Sequence, residues 1–313
     1  MRLKMPKTSP LFRILMGLII IAACAILALP NGFLRKTYVD TGLQMDIAEG
    51  SYLHYLDVGQ GDCTAISSKD KLCLIDVGNT SSGTAIVDKL KALGFYKVDF
   101  ILITHAHYDH IGGLRELLKG IEVGTVYLPD WEPESKSDLN FLNDVRADCK
   151  KLGVTLETMS AEDKFELGDF EIDVLYIDRE AEDENDRSAI IKARCNGNSF
   201  LFTGDATSEI EEKLIDSHID LSCDILKAGH HGSKHSTSSE FLSRTGAGLV
   251  TFSCGKDNSY GHPAEATIDR LLARGVDWFR TDINGDITVD AVNLTVKAEH
   301  GTVTDADTYS TAA

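Results

Sequence analysis

A chain of 313 residues, 43% hydrophobic and 26% charged, has the composition of a folded globular protein and room for one large α/β domain or two small ones. Its net charge of −18 excludes a basic cradle that draws in nucleic acid from a distance, because an acidic body repels phosphate backbones. A nucleic-acid or phosphate substrate would have to be gripped locally.

The first thirty residues read as a membrane anchor or signal segment. Arg2, Lys4, Lys7 and Arg13 are the only charges before Pro30, so removing these four from −18 leaves −22 on the remainder. The run Ile14–Leu29 has no charge. As a helix it spans about 24 Å, short of the roughly 30 Å hydrocarbon core. Leu11 and Phe12 lengthen it when Arg13 snorkels to the interface, giving a span over residues 11–29. Basic residues ahead of the run favour an inner amino terminus and an outer body. An uncleaved anchor competes with a cleaved signal peptide and with a lipoprotein, since Ile21-Ala22-Ala23-Cys24 resembles a lipobox. All three place the body outside the cytoplasm, at the cell membrane or secreted.

Residues 31–50 read as a polar linker, residues 51–300 as the folded domain, and residues 301–313 as a flexible tail. Tyr52–Val58 alternates apolar and polar positions and reads as a strand, followed by Gly59-Gln60-Gly61-Asp62. Leu72–Gly78 reads as a second strand ending in a turn, and Ile86–Leu93 as a helix. Phe100–Ile103 is a buried strand. It runs into Thr104-His105-Ala106-His107-Tyr108-Asp109-His110-Ile111-Gly112-Gly113, and then into helix-spaced Leu114–Leu118. Ligand sites in α/β sheets gather beyond the carboxyl ends of strands. His105 and His107, two apart on extended chain, point to one face and can chelate a borderline metal ion. Asp109 and His110 follow as the chain turns and can aim at a second ion. Gly112 and Gly113 let the backbone pass close to the metals.

His-x-His-x-Asp-His after a hydrophobic strand resembles the signature of the metallo-β-lactamase superfamily. The resemblance implies an αββα sandwich, here preceded by one apolar helix, and one or two divalent ions (zinc or manganese). Asp57–Asp62 with Asp76-Val77-Gly78 resembles the start of the corresponding domain in ComEC-like competence proteins, which places Asp62 near the site.

Further along, Val123–Leu128 reads as a strand, Leu139–Leu152 as an amphipathic helix, and Phe165–Ile177 as a hairpin around Gly168-Asp169. Asp178–Arg187 reads as a solvated charged loop without chemistry. Many superfamily members place a third histidine for the first metal in this part of the fold. This chain has Asn185 and Ser188 instead, as the ComEC-like branch does, so the first site holds fewer protein ligands and β-lactamase activity is disfavoured.

Phe200–Thr203 is a strand ending in Gly204-Asp205, and the resemblance makes Asp205 the carboxylate that bridges the ions. Ile225–Lys234 ends in His230-His231-Gly232-Ser233-Lys234, which resembles the His-His-Gly-Ser motif of ComEC-like domains. One of the two histidines ligates the second metal. His231 is the assignment, and His230 then sits beside the substrate as an acid or phosphate contact. Ser233, Lys234 and Ser236 read either as an anion pocket or as a helix cap with surface charge. After strand Leu249–Phe252, Asn258, Tyr260 and His262 again match the ComEC-like pattern. His262 is a catalytic or substrate-contacting residue or the distal metal ligand. A helix at Ala266–Arg274 and strands near Val276–Arg280, Asp286–Val289 and Leu294–Ala298 complete the domain. His54, His218 and His300 match no motif and read as structural or exposed. The seven cysteines lack zinc-knuckle spacing; most read as small core residues, and any disulfide pairing stays open.

The metal set is therefore His105, His107, Asp109, His110, Asp205 and His231. The catalytic candidates are Asp109, His230 and His262, and the substrate-binding candidates are Asn185, Ser188, Ser233, Lys234, Asn258 and Tyr260. The reading is an exported, membrane-anchored hydrolase using a metal-activated water. Its preferred substrate is a phosphodiester in nucleic acid, nucleotide or cell-envelope polymer. The rivals are an amide or ester hydrolase of β-lactamase type, and a non-catalytic anchored partner in DNA uptake or envelope assembly.

Overall fold

The computed structural model describes residues 49–301. The apolar segment of residues 1–30, most of the 31–50 linker and all but the first residue of the 301–313 tail lie outside the described residues. Among the described residues no helix is long and apolar enough to cross a membrane.

In chain order the elements are β1 (Ser51–Tyr55), β2 (Thr64–Ser68), β3 (Lys71–Ile75), α1 (Gly83–Ala92), β4 (Lys97–Leu102), α2 (Tyr108–Ile111), α3 (Leu114–Gly120), β5 (Glu122–Pro129) and α4 (Lys136–Leu152). Then come β6 (Thr155–Met159), β7 (Lys164–Leu167), β8 (Phe170–Tyr176), β9 (Ile190–Cys195), β10 (Asn198–Phe202), α5 (Ser208–Asp216), β11 (Ile225–Lys227) and α6 (Ser239–Thr245). The last are β12 (Leu249–Phe252), α7 (Glu265–Arg274), β13 (Asp277–Arg280), α8 (Thr281–Asn284), β14 (Ile287–Asp290) and β15 (Val296–Ala298). The expected strands and helices appear with ends shifted by a few residues. β2, β6, β9, α2, α5, α6 and α8 lie outside the sequence expectations. β2, at least, shows no usable alternation, because all five of its residues are buried.

Eight strands form one sheet in the order β15-β14-β1-β2-β3-β4-β5-β6, and seven form the other in the order β13-β12-β11-β10-β9-β8-β7. Each sheet has an antiparallel part and a parallel part, β3 to β6 in the first and β10 to β13 in the second. Strand alternation decides the layers. Leu102 of β4 and Phe200 and Phe202 of β10 face the core between the sheets. Ile101 packs outward with Ile86, Leu90, Leu117 and Val145 of α1, α3 and α4. Leu201 packs outward with Ile210, Leu214, Phe241 and Leu271 of α5, α6 and α7. The result is a four-layer αββα sandwich.

This architecture positions the site. β3, β4, β10, β11 and β12 are all parallel-part strands, and each ends just before a polar residue that reaches the same edge: Asp76, His105, Asp205, His231 and Ser253. The six cysteines among the described residues are all buried and free.

Candidate metal centre

Past β4, the Thr104 amide and hydroxyl donate to Asp76 Oδ1 and Oδ2, both at 2.8 Å. The hydroxyl proton is thereby committed, so Thr104 Oγ1 accepts from His105 Nδ1–H at 3.1 Å. His105 Nε2 is left as a lone pair, 3.1 Å from His107 Nδ1. α2 then turns the chain and presents Asp109 and His110. Gly112 and Gly113 serve this turn by close approach to neighbouring backbone: a Cβ on Gly112 would lie 2.6 Å from the Thr80 nitrogen, and one on Gly113 2.2 Å from the Val77 carbonyl oxygen.

His110 Nδ1–H donates to Asp76 Oδ2 at 2.7 Å. Its Nε2 lies 3.2 Å from Asp205 Oδ1, and both atoms are buried without a hydrogen-bond partner. The second arm is the tight turn Gly229–Gly232, where His230 and His231 both take positive φ (47° and 54°). His231 Nδ1–H donates to the Ser253 carbonyl at 2.9 Å. Its Nε2 sits 3.2 Å from Asp109 Oδ2 and 3.4 Å from Asp205 Oδ2. Donor atoms of Asp109, His110, Asp205 and His231 thus lie within 4.8 Å of one another. Of the adjacent pair, His231 stands in this group, while half-buried His230 keeps its Nε2 3.6 Å from Asp205 Oδ2.

Lone pairs of buried nitrogens and carboxylates aimed at one another require a positive charge between them. In the metal-free chain that charge is protons. Burial pulls His110 down, yet the Asp205 and Asp76 carboxylates override it and hold it well above its ordinary value. Burial likewise opposes His231, which Asp205 and Asp62 hold well up. Asp205 is buried too, and His231 and His110 hold it well below the carboxylate range. His105 goes the other way, lowered by burial and by His110. Two imidazoles and two carboxylates whose outward nitrogens are already fixed by Asp76 and Ser253 match what zinc or manganese takes from protein. A second cluster, Asp62, Asp76 and His110, lies behind. It already has a cation, because Lys227 Nζ is 2.8 Å from Asp62 Oδ2 and both side chains are buried. Asp62 Oδ1 lies 3.0 Å from His231 Nδ1, which places Asp62 at the back of the site.

The other candidate residues divide. Tyr260 is 67% exposed and stacks on His262, whose ring is 5.7 Å from that of His230. Burial, with His231 and His230 nearby, lowers His262 to about 4. Several substrate roles expected from sequence do not match the placements. Ser188 is fully buried, accepting the Asp205 amide at 3.1 Å with its oxygen 3.3 Å from His105 Nδ1, so it supports ligands from behind. Asn258 uses its amide on its own loop, donating to the Gly255 and His262 carbonyls and accepting from Tyr260 and His262 amides. Ser236 is buried and donates to the Ala206 carbonyl, and buried Ser233 accepts from the His235 amide, whereas Lys234 is exposed; no shared anion pocket forms. Asn185 is half-buried with its Oδ1 unpartnered. The expectation of a charged loop without chemistry at Asp178–Arg187 fails at Glu184, whose Oε2 lies 3.1 Å from His107 Nε2. Sequence reasoning also missed Thr104, Asp76 and Lys227. For Asp76 the signal was its place after β3, one strand over from β4.

Comparison with known proteins agrees with this geometry. A family model described as the metallo-beta-lactamase superfamily matches residues 56–255. The chain is 30% identical to ComE operon protein 3 of Bacillus subtilis over 74% of its own length and 32% of that protein. It is 28% identical to competence protein ComA of Neisseria gonorrhoeae over 78% of its length and 33% of that protein. It thus spans about a third of the length of these curated relatives. A CmlA β-hydroxylase variant superposes with a TM-score of 0.51 at 16% identity, covering 77% of this chain and 54% of the other, which is a likeness of fold.

Proposed function

We propose, from the premise that the chain belongs to the metallo-beta-lactamase superfamily, that it is a metal-dependent phosphodiesterase of ComEC-like type whose body works outside the cytoplasm. The observation that carries the reading is the convergence of donor atoms of Asp109, His110, Asp205 and His231 within 4.8 Å of one another, with buried His110 Nε2 and Asp205 Oδ1 lacking a hydrogen-bond partner and the His105–His107 pair beside them, its ring nitrogens 3.1 Å apart. Divalent ions held by these side chains would neutralise developing negative charge and bring the pKa of water toward neutrality.

The chain's own residues supply the rest. Asp205 directs one oxygen at His110 and the other at His231, so one rigid carboxylate ties the two arms together. His230 and His262 flank the group on its more open side, where a leaving oxygen departs. Burial, with His231 and His230 nearby, keeps His262 neutral at pH 7, so it offers the substrate an uncharged hydrogen-bonding ring. Similarity to two relatives, one named a competence protein, supports a phosphodiester substrate: nucleic acid, nucleotide or envelope polymer. Ser188, standing against His105, argues against an amide hydrolase of β-lactamase type. The charge-free run ahead of the domain supports anchoring through residues 11–29.

The test is the purified full chain, loaded with zinc or manganese, on bis(p-nitrophenyl) phosphate, single-stranded DNA, cyclic dinucleotides and nitrocefin. Hydrolysis of a phosphodiester, lost in His105→Ala, is the expected result. Turnover of nitrocefin alone, or of nothing with metal bound, overturns the reading.

A further inference from the structure

We propose that Glu184 is the positioning residue of the His105–His107 pair, setting which nitrogen of His107 carries the proton and which offers its lone pair to the site. The inference rests on the metal-centre reading given above. The two imidazoles meet as His105 Nε2 and His107 Nδ1 at 3.1 Å. Thr104 holds the His105 proton on the far nitrogen. For His107 the choice is open unless something fixes it. A neutral ring with its proton on Nδ1 donates to His105 Nε2, and the pair then closes on itself and has no room for an ion. A proton on Nε2 leaves two lone pairs facing each other, which only a cation reconciles.

Glu184 decides between these states. Its carboxylate accepts only, and Oε2 lies 3.1 Å from His107 Nε2, so the proton goes there. The carboxylate is itself held. Its side chain is 12% exposed, and Oε1 accepts the Glu134 backbone amide. The short turn Glu184–Arg187 is capped by Asp183, which accepts the Asn185 amide at 2.9 Å. Arg187 then clamps the turn to the segment beyond β5, with a nitrogen 2.8 Å from Glu134 Oε1 and its guanidinium 5.4 Å from the centre of the Trp131 ring. His107 is thus aligned by two surface segments, and neither is the end of a strand.

The experiment uses the full chain, histidine-labelled with nitrogen-15, as wild type, Glu184→Ala, Glu184→Gln and Arg187→Ala. In the metal-free wild type, long-range nitrogen–proton spectra are expected to show His107 protonated on Nε2, with Glu184→Ala shifting the proton to Nδ1. Titration with cobalt(II) is expected to show one ion bound about 10- to 100-fold more weakly in Glu184→Ala, with the other unchanged. Glu184→Gln, whose amide oxygen still accepts, should stay near wild type, and Arg187→Ala should fall between. A wild-type His107 protonated on Nδ1, or Glu184→Ala binding both ions at wild-type strength, overturns the proposal. So does Glu184→Gln failing as badly as Glu184→Ala. A wild type with the expected tautomer that binds no ion instead sinks the metal-centre reading and supports the Glu184 contact.

Discussion

The candidate site has two unlike halves. Asp109, His110, Asp205 and His231 stand at the ends of parallel strands or one short turn beyond them, and the side chains of His110, Asp205 and His231 are at most 3% exposed. The outward nitrogens of its imidazoles are tied to Asp76 and to the Ser253 carbonyl. The His105–His107 half has one fixed ring and one that is 29% exposed and leans on Glu184. Among the described residues it forms no group of three candidate ligands as close as the other half does. One half is therefore built by the sandwich and the other is completed by surface segments. The first should bind an ion tightly and the second should bind one adjustably.

The harshest way to break this comparison is Asp205→Ala, since its two oxygens face His110 and His231 and its charge also acts on the His105 ring. A loss of roughly 10²- to 10³-fold in kcat/KM on bis(p-nitrophenyl) phosphate is expected, with both ions weakened. If only one ion weakens, the halves are independent. Asp76→Asn keeps the shape but offers a donor to Thr104 or to His110. It should weaken the buried half's ion about 10- to 100-fold and cost roughly 2 kcal/mol in denaturant unfolding, leaving the other ion in place.

Proton release sharpens the contrast without mutation. The carboxylates hold His110 and His231 protonated in the metal-free chain, against the pull of burial. Burial keeps His105 neutral. Filling the buried half near pH 7.5 should displace about two protons, and its affinity should fall as pH drops, whereas His105 should release none. Calorimetric titration in two buffers of different ionisation enthalpy reads the count, and equal release from both halves would erase the distinction. The mildest test is Ser188→Ala, which removes the acceptor for the Asp205 amide and the oxygen near His105. About 1 kcal/mol of stability and a few-fold loss of rate are expected.

The first arm was legible in sequence because a buried apolar strand running into His-x-His-x-Asp-His leaves few other structures for the chain to adopt. Asp205 and the His-His turn were legible for the same reason, each following a strand in chain order. Choosing His231 over His230 was not, since only the positive-φ turn decides which ring swings to Asp109 and Asp205. Asn258 and Ser188 were named for the substrate, yet their polar atoms hold backbone and ligands. A side chain's sequence neighbours do not reveal whether its hydrogen bonds face inward or outward.

Sequence by itself determined the strands and helices with a clear apolar period, the acidic body and the ligand types, because apolar period and residue chemistry are local properties. Tertiary structure alone decided the shell that aims those ligands: Asp76 on His110, Lys227 on Asp62 and Glu184 on His107. Those pairs join residues from 34 to 165 positions apart. Their identity depends on which strand ends lie side by side, and that is fixed only when the two sheets close over a common core.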